Sequence, residues 1–253
     1  MNWLRTLLAS LMLVLAQTAM AAPEQPKLII AVGGKPLFYY LPLTIAERLG
    51  YFKEEGLDVT ITDFPGGAKA LQSLMGGSAD IVSGAYEHTI NMQAKKQHIR
   101  SVVVQGRYAG IVLGLAPEKA AEYKSPKDLK GMKIGVTAPG SSTNMFVNAL
   151  LAKEGLKPDA VSIIGVGATA GAVAAMQKKN IDAIANLDPV INLLEVSGDI
   201  VTKVDTRNLD GQKYVYGQDY AAGVIYTRED FIQKNPQTVQ AVVNAMVRAL
   251  RAS

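Results

Sequence analysis

The segment Ala138-Pro-Gly-Ser-Ser-Thr-Asn144 carries the residues best suited to chemistry in this chain. Pro139 and Gly140 open a turn, and Ser141, Ser142 and Thr143 then begin an apolar helix. Free backbone N–H groups, hydroxyl donors and the positive end of the helix dipole converge at such a start, which holds an anion without a formal positive charge. Ordinary N-capping by Ser141 or Ser142 is the plain alternative. Tyr39-Tyr40-Leu41 stands at the corresponding place in the first half of the chain, where aromatic faces and a phenol suit the organic part of a ligand or simply pack in the core. Lys35 offers either a cation to a cleft or a solvated surface charge. Glu87 and Asp188 each follow the last strand of a unit, where a carboxylate accepts from an amine or hydroxyl, or caps a helix.

Catalytic and metal chemistry find little support. His88 and His98 are the only histidines and neither has a partner at metal-ligand spacing. The chain contains no cysteine, which excludes a disulfide framework, a thiolate metal site, a Cys nucleophile and a lipid-bearing cysteine after a leader. Gly165-Val-Gly167-Ala-Thr-Ala170 matches a dinucleotide fingerprint in form, but it follows the second strand of its unit where that fingerprint wants the first. No metal and no cofactor are expected.

The elements that must position these residues are written twice. Phe64 to Gly84 recurs in outline as Val166 to Asn186, with Asp80 matching Asp182 and Ala70 matching Ala172 at the same offset, and Glu55-Gly-Leu57 is echoed by Glu154-Gly-Leu156. The apolar runs predict strand, helix, strand, helix, strand in each unit. In the first these are Leu28 to Val32, a helix from Pro42 with Leu41, Ile45 and Leu49 on one face, Leu57 to Ile61, Ala68 to Met75 and Asp80 to Val82. In the second they are Lys133 to Thr137, Ser142 to Ala152, Val161 to Ile164, Ala170 to Lys178 and Ala183 to Ala185. This βαβαβ order builds parallel sheets, in which ligands bind beyond the carboxyl ends of the strands. Six loops then face one another, and those around Gly66-Gly67 and Gly167 become opposite lips of one cleft. Two extended, glycine-containing segments, Ala109 to Glu118 and Ala222 to Glu229, read as paired crossing strands between the lobes. A final helix, Pro236 to Arg251, has Val239, Val242, Val243, Met246, Val247 and Leu250 at helical spacing and should pack back onto the first lobe.

The N-terminus reads as a secretory signal over residues 1–21, with Arg5, an apolar run from Leu7 to Ala16 and the small-x-small Ala19-Met-Ala21. That run is too short to span a bilayer. With 49% apolar residues and a net charge of +4 spread without a basic block, the remainder reads as a soluble exported protein, with nucleic acid excluded as a partner. The expected division is lobe one from 22–108 and 225–253, and lobe two from 109–224 with a hinge strand at each end.

Pro42-Leu-x-x-Ala-Glu-x-x-Gly-Tyr-Phe-Lys-Glu-Glu-Gly-Leu-Asp-Val59, Leu74 to Gly84, Asp128-Leu-Lys-Gly-x-Lys-Ile-Gly-Val136 with Gly140-Ser-Ser-Thr143, and Asp188-Pro189 together resemble the solute-binding proteins of ABC importers for nitrate, sulfonates and taurine. The related binders of pyrimidine precursors share the pattern. The resemblance implies a periplasmic binding protein type 2 fold: two α/β lobes joined by two crossing hinge strands, closing on a ligand and docking, as a monomer, on an inner-membrane permease. It implies ligand contacts from the loop before Pro42, from Gly66 and Gly67, from the segment after Ser83 with Gly84, Ala85, Tyr86 and Glu87, and from Ser141 to Thr143; Gly140, Asn186 and Asp188 are expected at the ligand from the place of their loops beyond the strands. Two departures stand out: Leu187 replaces a frequent aromatic residue before Asp-Pro, and family members continue past the equivalent of Ser253 with further helices. The expected function is capture of a small organic anion. The alternatives are a neutral heterocycle, a sensory module, or a pyrimidine-synthase-like enzyme, which the missing cysteines disfavour.

Overall fold

Buried parallel strands need apolar side chains on both faces, and the central strand of each half supplies them. The computed structural model describes residues 22–219 and 221–253, so the expected signal segment lies outside the described residues. Lobe one is built from β1 (Lys27–Val32), α1 (Leu41–Arg48), α2 (Tyr51–Glu54), β2 (Asp58–Asp63), α3 (Gly67–Met75), β3 (Ile81–Ala85), α4 (Glu87–Ala94) and β4 (Ile99–Gly106). The chain then enters lobe two through β5 (Val112–Leu115) and α5 (Pro117–Ala120) and continues as β6 (Lys133–Val136), α6 (Ser142–Lys153), β7 (Ser162–Gly165), α7 (Ala170–Gln177), β8 (Ala183–Asn186), α8 (Val190–Ser197), β9 (Val201–Asp205) and α9 (Leu209–Tyr216). It returns by β10 (Gly223–Arg228), α10 (Glu229–Lys234) and α11 (Pro236–Ala252).

The two sheets have the same plan, β2-β1-β3-β10-β4 and β7-β6-β8-β5-β9. β1 runs parallel to β2 with Lys27 opposite Asp58, and β6 parallel to β7 with Lys133 opposite Ser162. The fourth place in each sheet is taken by an antiparallel strand that has crossed from the other lobe. β10 lies between β3 and β4, and β5 between β8 and β9. The crossing segments therefore do not pair with each other, as their sequence had suggested. Each finds a full complement of ladder partners inside a different sheet, and a mutual ribbon would have left both sheets with open edges.

The repeat is carried by equivalent hydrogen bonds. Asp80 Oδ2 accepts from the Ile29 amide at 2.8 Å, and Asp182 Oδ2 accepts from the Lys133 amide at 2.8 Å. Each aspartate thus fastens the start of the first parallel strand of its sheet. Ala70 and Ala172 are both fully buried under their sheets. Gly56 and Gly155 take the left-handed conformation that ends the preceding helix, φ 78° and 67°, a conformation that glycine adopts without strain.

Two helix faces differ from the periodicity. On α1 the buried residues are Pro42, Leu43 and Ala46, whereas Leu41 and Leu49 are 48% and 55% exposed. Leu41 turns instead toward the space between the lobes. On α11 the inward stripe includes the small residues Ala241, Ala245 and Ala249, so the helix packs closely on α1, α2 and β4 of lobe one and leaves Val247 exposed. One continuous apolar cluster runs from lobe one through Leu37, Ala109, Ile111 and Leu187 into lobe two, and separate clusters fill the outer face of each sheet.

Candidate functional site

Both helix starts that face the cleft are built to let the other lobe come close. Gly66, the residue before α3, is extended with φ −172°, and a β-carbon there would meet Ala138 Cβ at 2.8 Å and Ser141 Oγ at 2.9 Å. Ser141 precedes α6 and makes no side-chain cap on its own helix. Its hydroxyl instead accepts from the Ala68 amide of α3 at 3.0 Å, capping the helix of the opposite lobe. Thr143 Oγ1 accepts from the Thr137 amide at 3.1 Å and pairs with the Thr137 hydroxyl at 2.9 Å, fixing α6 to the end of β6. Gly140 has φ 82°, and its amide donates to Asn144 Oδ1 at 2.9 Å.

Between these helix starts lies a cavity lined by Gly33, Leu37, Tyr39, Tyr40, Gly67 and Ala85 from lobe one and Thr137, Ser142 and Leu187 from lobe two. At about 10 Å³ it has room for roughly one water molecule. The lobes are closed upon each other. No charged side chain lines the cavity, yet Gly67 and Ser142 are the first residues of α3 and α6, and neither amide has an acceptor among the described residues. Two positive helix ends from opposite lobes therefore meet at one point.

The two tyrosines are structural as well as cavity-lining. Tyr39 donates to the Ala222 carbonyl at 2.9 Å, and Tyr40 accepts from the Gly33 amide at 3.3 Å with its ring edge-on to Tyr39. Burial pushes both phenols well above their ordinary range, so both remain neutral donors. The charge of Glu87 adds to that effect at Tyr39, which puts this half-buried first residue of α4 in electrostatic reach of the cavity wall.

Other expected residues point elsewhere. Lys35 turns its ammonium to Glu47 at 2.8 Å and contributes its backbone amide, with that of Gly34, to Asp63 Oδ1. Asp188 Oδ1 accepts from the Asn192 amide of α8 at 3.0 Å and faces Arg207 at 3.4 Å, while its carbonyl accepts from Phe38 across the lobe boundary at 3.0 Å. Asn186 is fully buried, donating to the Gly167 carbonyl at 3.0 Å and accepting from the Leu187 amide. Gly84 and Ala85 are buried at the end of β3, and Tyr86 leads into α4. Leu41 belongs to a pocket of about 300 Å³ at the cleft mouth, with Phe38, Tyr108, Asp188 and Arg207.

Not every residue here was singled out from the sequence. Leu37, Thr137 and Leu187 line the cavity, and a β-carbon on Gly33 would fall on the Gly67 amide. Leu37 and Leu187 lie inside loops expected to face the ligand, whereas Thr137 ends the strand just before the recognised loop from Ala138. His88 and Arg207 gave no local signal, because the partners Tyr226, Asp188, Glu195 and Asp205 come from other elements.

Two α/β lobes of this topology, each sheet completed by a strand from across the hinge and closed over a cavity at two helix starts, define the periplasmic binding protein fold. The chain belongs to the family described as NMT1/THI5 like, which matches residues 38–253. A solved protein of Bordetella bronchiseptica RB50 is 58% identical, with a TM-score of 0.88 covering 90% of this chain and 72% of that one. The alkanesulfonate-binding protein SsuA of Xanthomonas axonopodis pv. citri, bound to MOPS, shares the fold at 22% identity and a TM-score of 0.71, covering 89% and 73%. Among curated relatives, the 4-amino-5-hydroxymethyl-2-methylpyrimidine phosphate synthase THI11 of Saccharomyces cerevisiae is 22% identical over 230 residues and the taurine-binding periplasmic protein of Escherichia coli 27% over 209. These alignments cover 88% and 82% of this chain but only 66% and 62% of the relatives' own lengths.

Proposed function

We propose that this protein is the solute-binding component of an ABC importer, working in the periplasm and delivering a small organic anion to a membrane permease. The observation that carries this reading is the meeting of α3 and α6 at one cavity, with the Gly67 and Ser142 amides unused and no cationic side chain beside them. An oxyanion there would accept from both amides and from the Ser142 hydroxyl, so that binding itself draws the lobes together. A micromolar dissociation constant corresponds to about −8 kcal/mol, which a few charge-assisted hydrogen bonds and cleft burial can supply. Because Asp188 is engaged by Asn192 and Arg207, it is not placed to receive an amine, and a simple alkyl sulfonate or carboxylate suits the site better than an aminosulfonate.

A neutral pyrimidine is the competing ligand, favoured by the synthase relative and by the uncharged wall of Tyr39, Tyr40 and Leu187. Synthesis rather than transport would require groups that this cysteine-free chain does not present. Thermal unfolding with ethanesulfonate, taurine, nitrate and a hydroxymethylpyrimidine separates the readings. Ligand at a hundredfold excess over its dissociation constant stabilises by about 2.7 kcal/mol. The proposal expects that shift with an anion; a shift with the pyrimidine alone ends the anion reading.

A further inference from the structure

A glycine is explained when its backbone is left-handed or when a β-carbon would crowd a neighbour, and Gly106 meets neither condition. Among the described glycines with φ outside the left-handed region, every other one would place a β-carbon 3.4 Å or closer to another atom. At Gly106 the nearest atom is the Gly223 amide nitrogen at 3.6 Å, an ordinary contact, and the residue ends β4 in extended backbone. An alanine would fit there with the lobes closed. The freedom that sets glycine apart, access to backbone angles closed to other residues, is not used at Gly106 in the closed form.

Hydrogen bonds on either side single out the same residue. Gln105 is buried and held by lobe one, its Nε2 donating to Ser83 Oγ of β3 at 2.8 Å. Arg107 is held by lobe two, its carbonyl accepting from Gln212 Nε2 of α9 at 2.8 Å. The residues after it go the same way. The Ala109 amide donates to Gln212 Oε1 at 2.8 Å, the Gly110 amide to the Thr206 carbonyl at 3.1 Å and the Ile111 amide to Thr206 Oγ1 at 2.9 Å. Gln212 and Thr206 are both fully buried, so residues 107–111 are fixed to lobe two. The returning chain is back on lobe one by Ala222, whose carbonyl accepts from the Tyr39 hydroxyl and the Tyr86 amide, each at 2.9 Å. The Gly106 carbonyl accepts from the Ala222 amide at 3.0 Å, which ties the outgoing crossing to the returning one. Between a side chain anchored in lobe one and a carbonyl anchored in lobe two, the outgoing chain has only the backbone of Gly106 to turn on.

We infer that Gly106 is the pivot on which the lobes part, with residues 107–111 moving as part of lobe two. This holds whatever solute the cleft takes. The test is amide hydrogen exchange, read by NMR on the full chain labelled with ¹⁵N and free of ligand. The Ala68 amide is held by Ser141 Oγ of the opposite lobe at 3.0 Å, so that bond is lost when the lobes part and exchange at Ala68 reports opening. Gly106→Ala fits the closed backbone and removes conformations from the open one, so exchange at Ala68 should slow by about two- to fivefold. Gly171→Ala is the comparison, because Gly171 lies within α7, away from both crossings, and its β-carbon would make a 3.4 Å contact inside its own lobe. That substitution should leave exchange at Ala68 as it is. Equal rates at Ala68 in the wild type and Gly106→Ala, or the same slowing from Gly171→Ala, overturn the inference. So does faster exchange in the middle of β1 and β6 in Gly106→Ala, since the closed fold itself would then need the glycine.

Discussion

Gly66 and Gly33 lack side chains for different reasons, and the difference is measurable. Gly66 is extended, a conformation any residue adopts, and an added methyl would meet only the opposite lobe, at Ala138 and Ser141. Gly66→Ala should therefore leave the urea midpoint of the unliganded protein nearly unchanged while weakening ligand binding by about 10- to 100-fold, the equivalent of an overpacking cost of about 1–3 kcal/mol on closure. Gly33→Ala would drive its methyl into the Gly66–Gly67 peptide of its own lobe, so it should lower the unfolding midpoint with or without ligand. Legibility at this scale was uneven. The helix start at Ser141 to Thr143 was visible because hydroxyls before an apolar run have a local signature. That Ser141 caps α3 rather than α6 was not, since the choice of acceptor depends on how the lobes meet.

At the scale of elements, the duplicated aspartates make a matched pair of predictions. Asp80→Ala and Asp182→Ala each strip the acceptor from an amide in the first half of a central strand, Ile29 of β1 and Lys133 of β6, and each should cost about 1–2 kcal/mol in urea unfolding. The two sit in separate sheets, so the double variant should lose the sum. The capping of α11 responds to acid. Partial desolvation pushes the Glu24 carboxyl up, but the Gln237 and Thr238 amides it accepts from outweigh that and hold it down at about 2, against an ordinary 4.5. This contribution is complete above pH 4.5 and is lost as pH falls toward 2, so Glu24→Gln should flatten that limb of a stability-versus-pH curve. The parallel strands and their helices could be located from sequence because each shows a local pattern, an apolar or alternating run for a strand and helical spacing for a helix, with a glycine or polar stop. β4 and β9 were missed, as edge strands whose mixed burial makes no such run. The partners of β5 and β10 were likewise out of reach, because antiparallel pairing across the whole length of a lobe leaves no mark at short range.

For the whole molecule, the closed arrangement has a direct consequence: a cavity of about 10 Å³ cannot admit an organic anion unless the lobes part. The chain crosses between the sheets only at Gly106 to Val112 and between β9 and β10, so opening must be concentrated there. Small-angle scattering should then show a larger radius of gyration for unliganded protein than for the liganded form. An anion that bridges the starts of α3 and α6 across the lobe boundary should be felt by isothermal titration of ethanesulfonate into the wild-type chain and into Gly66→Ala. The wild type should bind saturably, one to one, and the variant should lose at least tenfold in affinity. Equal affinity in the two proteins, or binding of the pyrimidine with none of the sulfonate, would contradict it.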